Sequence, residues 1–290
     1  MVKHENFKTC DQSGFCKRNR AYADNAATLG NIWASPYKLD PNSIKIGHGY
    51  VTGTVLKLLR SGGEAVQLPV RVAFLASGVA RVTIDELKRQ QKDIELRHGS
   101  QVRKERYNEA AAWALVKNGE LDKSVSGEFG GEETIVRYGP KQRYRAVIRH
   151  DPFSLEFFRD DELHIKLNGK GLLNIEHWRP KVEKVEQMKG KHENSEDEST
   201  WWEETFGGNT DSKPRGPESV GVDISFLGYE YVYGIPGHGS TLSLKQTRYY
   251  TLGRLRWVVA NFYAGADPAI TTSHIDYIIA IHSSMRWTVP

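Results

Sequence analysis

The residues with the clearest chemical potential lie in GYEYVYGIPGHGS, residues 228–240, where tyrosines lead into a Gly-Ile-Pro-Gly turn. Aromatic rings beside such a turn can stack on the flat apolar faces of sugars. Tyr233 and His238 are therefore the candidate carbohydrate contacts. Tyrosines are also ordinary strand residues, and on the pattern alone a purely structural strand end is the more frequent explanation.

The two cysteines, Cys10 and Cys16 in CDQSGFC, could bond to each other, supply half of a metal site or stay as thiols. The chain has no further cysteine to complete a metal site. Asp11, Ser13 and Gly14 form a turn-prone link that can bring the two sulfurs together. We therefore predict a disulfide, which implies an oxidising compartment.

The carboxylates show no catalytic pairing. Asp160 and Asp161 are neighbours at a predicted strand end, where they point to opposite faces, whereas glycosidases need two carboxyl groups flanking one bond. His150 and Asp151 precede a proline at a predicted turn. The sequence also lacks G-x-S-x-G, P-loop and H-E-x-x-H motifs. We predict no catalytic residue, metal ligand or cofactor within this chain.

The composition is typical of a globular protein, with 39% apolar residues, 26% charged residues and a net charge of +4. Basic residues are scattered among acidic ones, so nucleic acid is not an expected partner. The apolar runs in the sequence are shorter than the ~18 residues that a membrane-spanning helix needs. No membrane span is predicted.

Most of the chain alternates apolar and polar residues with the period of β-strands, as in GYVTGTVLKLL, LPVRVAFLA and GVARVTIDE. Further strand-like runs recur about every ten residues, with Asn168-Gly169 as a hairpin signal. Residues 1–30 are polar and turn-rich, and the one predicted helix covers about residues 102–117, before Gly119. The pattern predicts an all-β, antiparallel β-sandwich with one short helix.

Residues 181–219 are charged and poor in aliphatic side chains, which predicts a flexible insert at the surface of the sandwich. The acidic run from Glu193 to Glu198 could bind a cation, but a solvated charged surface is favoured. Trp201 and Trp202 are predicted to anchor a short helical turn, WWEETF, to the sandwich.

Three segments resemble glycoside hydrolase family 31, and specifically its glucosidase II alpha subunits: VKHENFKTCDQSGFCKRNR, HDPFSLEFFRDDELHIKLNGKGLLNIEHWR and SVGVDISFLGYEYVYGIPGHGSTLSLKQTR. The resemblance covers about residues 2–248. It implies a mutarotase-like sandwich that precedes a (β/α)8 barrel, and retaining hydrolysis of α-1,3-linked glucose from N-glycans.

The resemblance also implies partners and a location. The family's alpha subunit pairs with a beta subunit, its substrate is the N-glycan of glycoproteins, and it works in the lumen of the endoplasmic reticulum. The opening MVKHENF has no apolar signal core, so we expect that the natural start lies upstream or that Met1 was added.

The chain departs from the family pattern at two places. Gly237 stands where the family has a glutamate, so no role is transferred to it. Residues 249–290, after Arg248, resemble nothing in the family and contain no lysine or glutamate. We predict an N-terminal sandwich domain at residues 1–248 and a poorly ordered tail at 249–290, with a divergent strand pair as the alternative for the tail.

The function expected from these features is that of an N-terminal domain of a glucosidase II-like alpha-glucosidase. The catalytic carboxylates of the family lie on barrel loops, and the resemblance stops before any of them. We therefore expect the sandwich to be incomplete at its C-terminus and the chain to be inactive alone. The alternative is a non-catalytic β-sandwich that binds carbohydrate or another protein.

Overall fold

The structure is a computed structural model that describes residues 12–59, 63–84, 119–177, 202–212, 216 and 220–233, with the backbone of 263–265, 282–283 and 285–286. The predicted helix at about residues 102–117 lies outside the described residues, as do Cys10 and His238. Most of the predicted tail lies outside them as well.

The first layer is an antiparallel sheet of five strands, which we call sheet I. Its strands are β1 (Tyr37–Leu39), β2 (Lys45–Gly47), β3 (Tyr50–Lys57), β4 (Val66–Phe74) and β5 (Ala80–Ile84). They follow the order β1-β3-β4-β5, and β2 also pairs with β3. Along β4 the side chains of Leu68, Val70 and Val72 are buried while Arg71 between them is exposed, which confirms the predicted period of two.

The second layer, sheet II, has six antiparallel strands. They are β6 (Ser126–Phe129), β7 (Glu133–Tyr138), β8 (Tyr144–Arg149), β9 (Ser154–Arg159), β10 (Glu162–Leu167) and β15 (Ile224–Phe226). Strands β6 to β10 form a meander in which each strand pairs with the next, and β15 adds to the free edge of β10. The chain therefore leaves this sheet after β10 and returns to the same edge much later.

The two sheets pack face to face around one hydrophobic core, to which both contribute fully buried aromatic and aliphatic side chains. Phe74 of sheet I and Tyr138 of sheet II meet with ring centroids 4.5 Å apart. Two antiparallel sheets around one core form a β-sandwich, and the predicted fold class is confirmed.

A helix that the sequence analysis missed, α1 (Gly14–Leu29), lies against the sandwich. Two of its buried side chains, Arg18 and Asn19, are polar. Arg18 forms an ion pair with Glu176, and the first amide of the helix donates to the carboxylate of Glu204 at 2.7 Å. Because α1 docks partly through polar contacts, it lacks the apolar stripe by which surface helices are recognised in a sequence.

The described residues also form four two-stranded pairs and three short 3-10 helices, Gly30–Ile32, Pro41–Ser43 and Pro140–Gln142. Strands β11 (Asn174–Ile175) and β14 (Val220–Gly221) form the first pair, and β12 (Glu203–Phe206) and β13 (Asn209–Ser212) form the second. The third joins β16 (Tyr231–Tyr233) to β17 (Tyr263–Gly265), and the fourth joins β18 (His282–Ser283) to β19 (Met285–Arg286). Strand β16 thus pairs with a segment of the predicted tail.

The helical turn predicted at WWEETF is wrong for its last four residues, because Glu203–Phe206 forms strand β12 of a hairpin, while Trp202 before it is helical. The connection to β13 consists of Gly207 and Gly208, whose φ angles are 56° and 80°. Two central residues with positive φ make the tight turn that matches the twist of paired strands, and Gly-Gly suits it without steric cost.

The hairpin predicted at Asn168-Gly169 is also wrong. Strand β10 pairs with β9 and β15, whereas β11, which follows Asn168, pairs with β14. The Asn168 side chain donates to the Phe153 carbonyl at 2.6 Å and accepts from the Leu173 amide at 2.7 Å. These buried bonds hold the chain in a loop between β10 and β11.

Candidate functional site

The two predicted carbohydrate contacts fall at the border of the described structure. Tyr233 is the last residue of β16, where its backbone pairs with Tyr263 of β17. His238 and the side chain of Tyr233 lie outside the described residues. The sugar contact stays a prediction, and the described part of the site is the stretch of chain that leads to Tyr233.

The start of this stretch is fastened by Asp223, just before β15. Its carboxylate accepts hydrogen bonds from the backbone amides of Lys170 at 2.7 Å and Leu172 at 2.9 Å. Its own carbonyl accepts from the amide of Asn168 at 2.9 Å. One aspartate therefore binds the loop after β10 to the segment that enters β15.

The end of β15 is fastened by His164 of β10. The Leu227 amide donates to the His164 carbonyl at 2.8 Å. Gly228 then adopts a φ of 77°, a conformation that costs other residues free energy. Beyond this turn, the Tyr229 hydroxyl lies 2.5 Å from Nδ1 of His164, and their ring centroids are 5.5 Å apart.

Both members of this pair are held in their neutral forms by their surroundings. Burial lowers the pKa of His164 below its usual value, and burial raises the pKa of Tyr229 to about 12. Desolvation disfavours the charged form of each group. At neutral pH the Tyr229 hydroxyl and Nδ1 of His164 therefore share a hydrogen bond between two neutral groups.

Asp160 and Asp161 form the turn between β9 and β10, with φ angles of 50° and 64°, and do not lie on a strand as expected. Asp160 pairs with Arg143 at 2.5 Å, and Asp161 pairs with Arg145 at 3.3 Å. The hydrogen bond from Arg143 is the main cause that lowers the pKa of Asp160. A general acid needs a raised pKa, so Asp160 is suited to ion pairing rather than to donating a proton.

Glu156 of β9 is a buried carboxylate on the outer face of sheet II. Burial raises its pKa, but hydrogen bonds and charge from Lys166, with further help from Arg149, outweigh this and leave the pKa below its usual value. The carboxylate lies 2.7 Å from the Lys166 amine and 3.3 Å from the Arg149 guanidinium. Glu156 is therefore ionised and structural.

His150 and Asp151, the other polar pair considered from sequence, point to different partners. Nδ1 of buried His150 donates to the carbonyl of Gly131 at 3.2 Å, and Nε2 lies 3.0 Å from the Thr134 hydroxyl. The exposed Asp151 forms an ion pair with Lys38 at 2.7 Å. These contacts support a structural role for both residues.

Cys16 is buried in the first turn of α1, while Cys10 lies outside the described residues. The disulfide between them therefore stays a prediction. Over the ranges that the structure describes, no cluster of three or more histidine, cysteine, aspartate or glutamate side chains has the arrangement of a metal site. Among the described helices, none has the length and apolar character that a bilayer crossing demands.

Sequence reasoning missed the His164–Tyr229 pair, whose members are 65 positions apart. The run Leu163, Ile165 and Leu167 alternates with polar residues as an uninterrupted strand does. The sequence therefore carried no sign that His164 would turn toward a later segment.

Comparison with known protein families gives one match over most of the chain. The profile of the glycosyl hydrolase 31 N-terminal galactose mutarotase-like domain matches residues 69–259. Glucosidase 2 subunit alpha of Schizosaccharomyces pombe is 34% identical over 244 residues, which cover 83% of this chain and 25% of that protein. Neutral alpha-glucosidase AB of Sus scrofa is 33% identical over 274 residues, covering 85% of this chain and 25% of that protein.

Solved structures give the same result. A glucosidase II alpha subunit with bound DNJ is 55% identical, with a TM-score of 0.73 over 85% of this chain and 25% of that one. A second solved structure is a heterodimeric complex of endoplasmic reticulum glucosidase II, made of the catalytic subunit and the binding domain of the regulatory subunit. It is 56% identical to this chain, with a TM-score of 0.72 over 83% of this chain. The chain spans about a quarter of the length of the curated relatives that it matches.

Proposed function

This chain belongs to glycoside hydrolase family 31, whose N-terminal galactose mutarotase-like domain it contains, and we propose that it serves as the N-terminal domain of a glucosidase II-like alpha-glucosidase. The observation that carries the proposal is 55% identity to a solved glucosidase II alpha subunit over 85% of the chain. The proposed reaction of the whole enzyme is retaining removal of α-1,3-linked glucose from N-glycans. Solved relatives that hold Glc1Man2 and alpha3-Glc2 support this substrate class.

A domain exchange tests this proposal. Residues 12–248 would replace the corresponding part of the Schizosaccharomyces pombe glucosidase 2 subunit alpha, and the chimera would be assayed on an α-1,3-linked glucose disaccharide. We expect the chimera to hydrolyse the disaccharide and a version lacking this region to fail. A chimera that folds, as judged by its circular dichroism, but has no activity would contradict the proposal.

We also propose that the chain hydrolyses nothing by itself. Retaining hydrolysis requires two carboxyl groups about 5 Å apart, and in the family these lie on barrel loops. The ion pairs of Asp160, Asp161 and Glu156 support this proposal. Purified chain should therefore give no turnover of p-nitrophenyl α-glucoside. Turnover that one Asp or Glu substitution within residues 1–248 abolishes would refute it, and glycan binding at micromolar concentration would favour the carbohydrate-binding alternative.

The proposed partner is a glucosidase II beta subunit. It is supported by the relative whose catalytic subunit was solved with the binding domain of its regulatory subunit. Co-expression with a tagged beta subunit and affinity capture tests the proposal. Recovery of the wild-type chain, but not of a matched unrelated β-sandwich, is the expected result, and equal recovery of both would contradict it.

We propose that the chain works in the lumen of the endoplasmic reticulum and that Cys10 is bonded to Cys16 there. The loop between the cysteines is short, so the disulfide should contribute no more than about 3 kcal/mol. Intact mass after alkylation under non-reducing conditions measures the thiols directly. Two alkylated cysteines in protein made in an oxidising compartment would contradict the pairing.

The division into a domain at residues 1–248 and a tail at 249–290 is likewise a proposal. The change in composition after Arg248 supports it, although the family match continues to residue 259. Limited trypsin digestion should cut first at Arg254 and Arg256. Resistance at both sites, with one cooperative thermal transition, would mean that this segment belongs to the domain.

A further inference from the structure

The five strands of sheet I contain lysine and arginine but no aspartate or glutamate. Their cationic residues are Lys38, Lys45, Lys57, Arg71 and Arg81. The strands of sheet II differ, because they contain both acidic and basic residues. The two layers of the sandwich therefore differ in the charge that they can present to a partner.

The outer face of sheet I, which we define by Lys45, Tyr50, Thr52, Arg71 and Thr83, points away from the core. Thr52 of β3 lies directly opposite both Lys45 of β2 and Arg71 of β4, and Arg71 lies opposite Thr83 of β5. Residues that pair directly share one face of a sheet. Lys45 and Arg71 are exposed, and two strand spacings, roughly 10 Å, separate their backbones.

Arg71 is held in place by an aromatic ring. Its guanidinium lies over the Tyr50 ring, with Cζ 4.5 Å from the ring centroid. Glycine at position 47 of β2 permits this arrangement, because a Cβ there would lie 2.5 Å from Cζ of Tyr50. A stacked guanidinium keeps its N–H groups directed outward in its own plane, where they can bind a carboxylate through two hydrogen bonds.

The described residues do not neutralise the two exposed cations of this face. Within the ranges that the structure describes, Lys45 and Arg71 have no ion-pair partner. The carboxylate of Asp40, which follows β1, accepts a backbone hydrogen bond instead. On the outer face of sheet II, by contrast, basic side chains pair with Glu156 and Asp161. The outer face of sheet I is therefore the one with positive charge to offer.

We propose that the outer face of sheet I is a docking surface for an acidic polypeptide segment of a partner protein, with Lys45 and Arg71 binding its carboxylates. Alternate side chains of an extended segment are roughly 7 Å apart, which two long basic side chains can match. The hydroxyls of Thr52 and Thr83 can bond to polar groups of the same segment. This inference does not rest on the function proposed above, because it concerns a surface of the isolated chain.

Other classes of ligand fit this face less well. Contacts with Gly47 and Arg71 occupy the Tyr50 ring, so the ring is not available to stack on a sugar. Recognition of an anionic membrane typically uses a cluster of about 4–8 basic residues, more than the pair formed by Lys45 and Arg71. Duplex nucleic acid carries one charge per ~1.7 Å of its axis, a density that this pair does not match.

Fluorescence anisotropy of the full chain tests the proposal. The probe is a fluorescein-labelled oligoglutamate of about eight residues, which spans roughly 26 Å when extended. The chain is titrated into the probe at about 0.1 M ionic strength, where exposed charges are screened beyond about 10 Å. We expect saturable binding that weakens as salt is added.

Variants at the two cations separate this face from the overall charge of the chain. Lys45→Gln combined with Arg71→Gln should weaken binding roughly 3- to 30-fold, the range for two charge pairs at an exposed site. The matched control, Lys141→Gln combined with Arg143→Gln, removes the same charge from the loop before β8 and should stay within about 2-fold of wild type. Arg71→Lys keeps the charge but loses the planar fork, and should weaken binding roughly 2- to 5-fold.

Circular dichroism checks that each variant folds, and if those at Arg71 do not, Lys45→Gln alone should still weaken binding roughly 2- to 5-fold. No saturable binding by the wild-type chain, or an equal loss in the two double variants, would overturn the proposal. Binding to vesicles of phosphatidylcholine and phosphatidylserine without binding to oligoglutamate would assign the face to a membrane instead. Tighter oligoglutamate binding after Glu196→Gln, Asp197→Asn and Glu198→Gln would mean that the chain's own acidic run occupies the face, and would exclude the partner.

Discussion

The buried ion pair between Arg18 and Glu176 should dominate the attachment of α1 to the sandwich. The two charged atoms lie 2.5 Å apart, and the side chains are only 9% and 7% exposed. Removing one partner takes this ion pair away from a charge that stays buried, and such a loss typically costs about 3–5 kcal/mol. We therefore expect Arg18→Met or Glu176→Leu to lower the free energy of unfolding by that amount.

Removing both partners should cost far less than the sum of the two single changes. Two apolar side chains of similar volume avoid the desolvation of both ions, and such replacements are often neutral. The double variant is therefore expected within about 1 kcal/mol of the wild-type chain, with a large coupling energy between the two sites.

Urea unfolding followed by tryptophan fluorescence measures these changes. Trp33 is a suitable reporter because its ring contacts Tyr22 of α1, with centroids 5.2 Å apart. Lys38→Met is the matched control, since it breaks an exposed pair with Asp151 whose side chains are 43% and 59% exposed. Exposed pairs contribute about 0–1 kcal/mol. If Arg18→Met costs no more than this control, or if the two changes simply add, the pair does not fasten α1.

Three further predictions concern single side chains. Tyr37→Phe removes the hydroxyl that accepts from the buried Ile175 amide at 2.7 Å, and denaturant unfolding should show a loss of about 1–3 kcal/mol. Asp122 accepts three hydrogen bonds. Burial raises the pKa of Asp122, but these bonds outweigh burial and lower it. The stabilisation that ionised Asp122 gives the fold should therefore be complete above about pH 4 and be lost as the pH falls through the lowered pKa. Asp122→Asn should make thermal stability less dependent on pH in that range. Gly228→Ala should cost about 1–2 kcal/mol through its positive φ, although the added Cβ meets only Glu162 Oε1 at 4.0 Å.

Each of these has an outcome that would contradict it. Unchanged stability of Tyr37→Phe would mean that another group satisfies the Ile175 amide. An identical acid transition in wild type and Asp122→Asn would remove Asp122 from the pH dependence. A neutral Gly228→Ala would show that the turn before Tyr229 does not require the left-handed conformation.

The strands were predictable because their signal is local. The alternation of Leu68, Val70 and Val72 with polar neighbours specifies a half-buried strand from a handful of adjacent residues. Family 31 membership was likewise predictable, because long motifs identify it without any geometry. The pairing of strands was harder to predict from the sequence, as Asn168 shows. The pair Asn168-Gly169 is typical of hairpins but lies in a loop, because the Asn168 side chain forms hydrogen bonds with the backbone of Phe153 and Leu173.

Helix α1 was missed for a related physical reason. Arg18 and Asn19 are buried by contacts with residues more than a hundred positions away, and a polar buried surface has no periodic apolar signal. Glu203–Phe206 forms a strand because Gly207-Gly208 supplies a tight hairpin turn, and this signal is present in the sequence.

The sequence by itself determined the two-layer antiparallel architecture, the family, and the tyrosine-rich stretch that ends at Tyr233. Only the tertiary structure decided what holds that stretch, since the contact between His164 and Tyr229 joins residues 65 positions apart. The physical reason is the separation along the chain over which each interaction acts. Alternation and turn preferences act between neighbours along the chain, whereas burial, ion pairs and side-chain hydrogen bonds depend on which distant segments meet, and that is settled only when the two sheets close around their core.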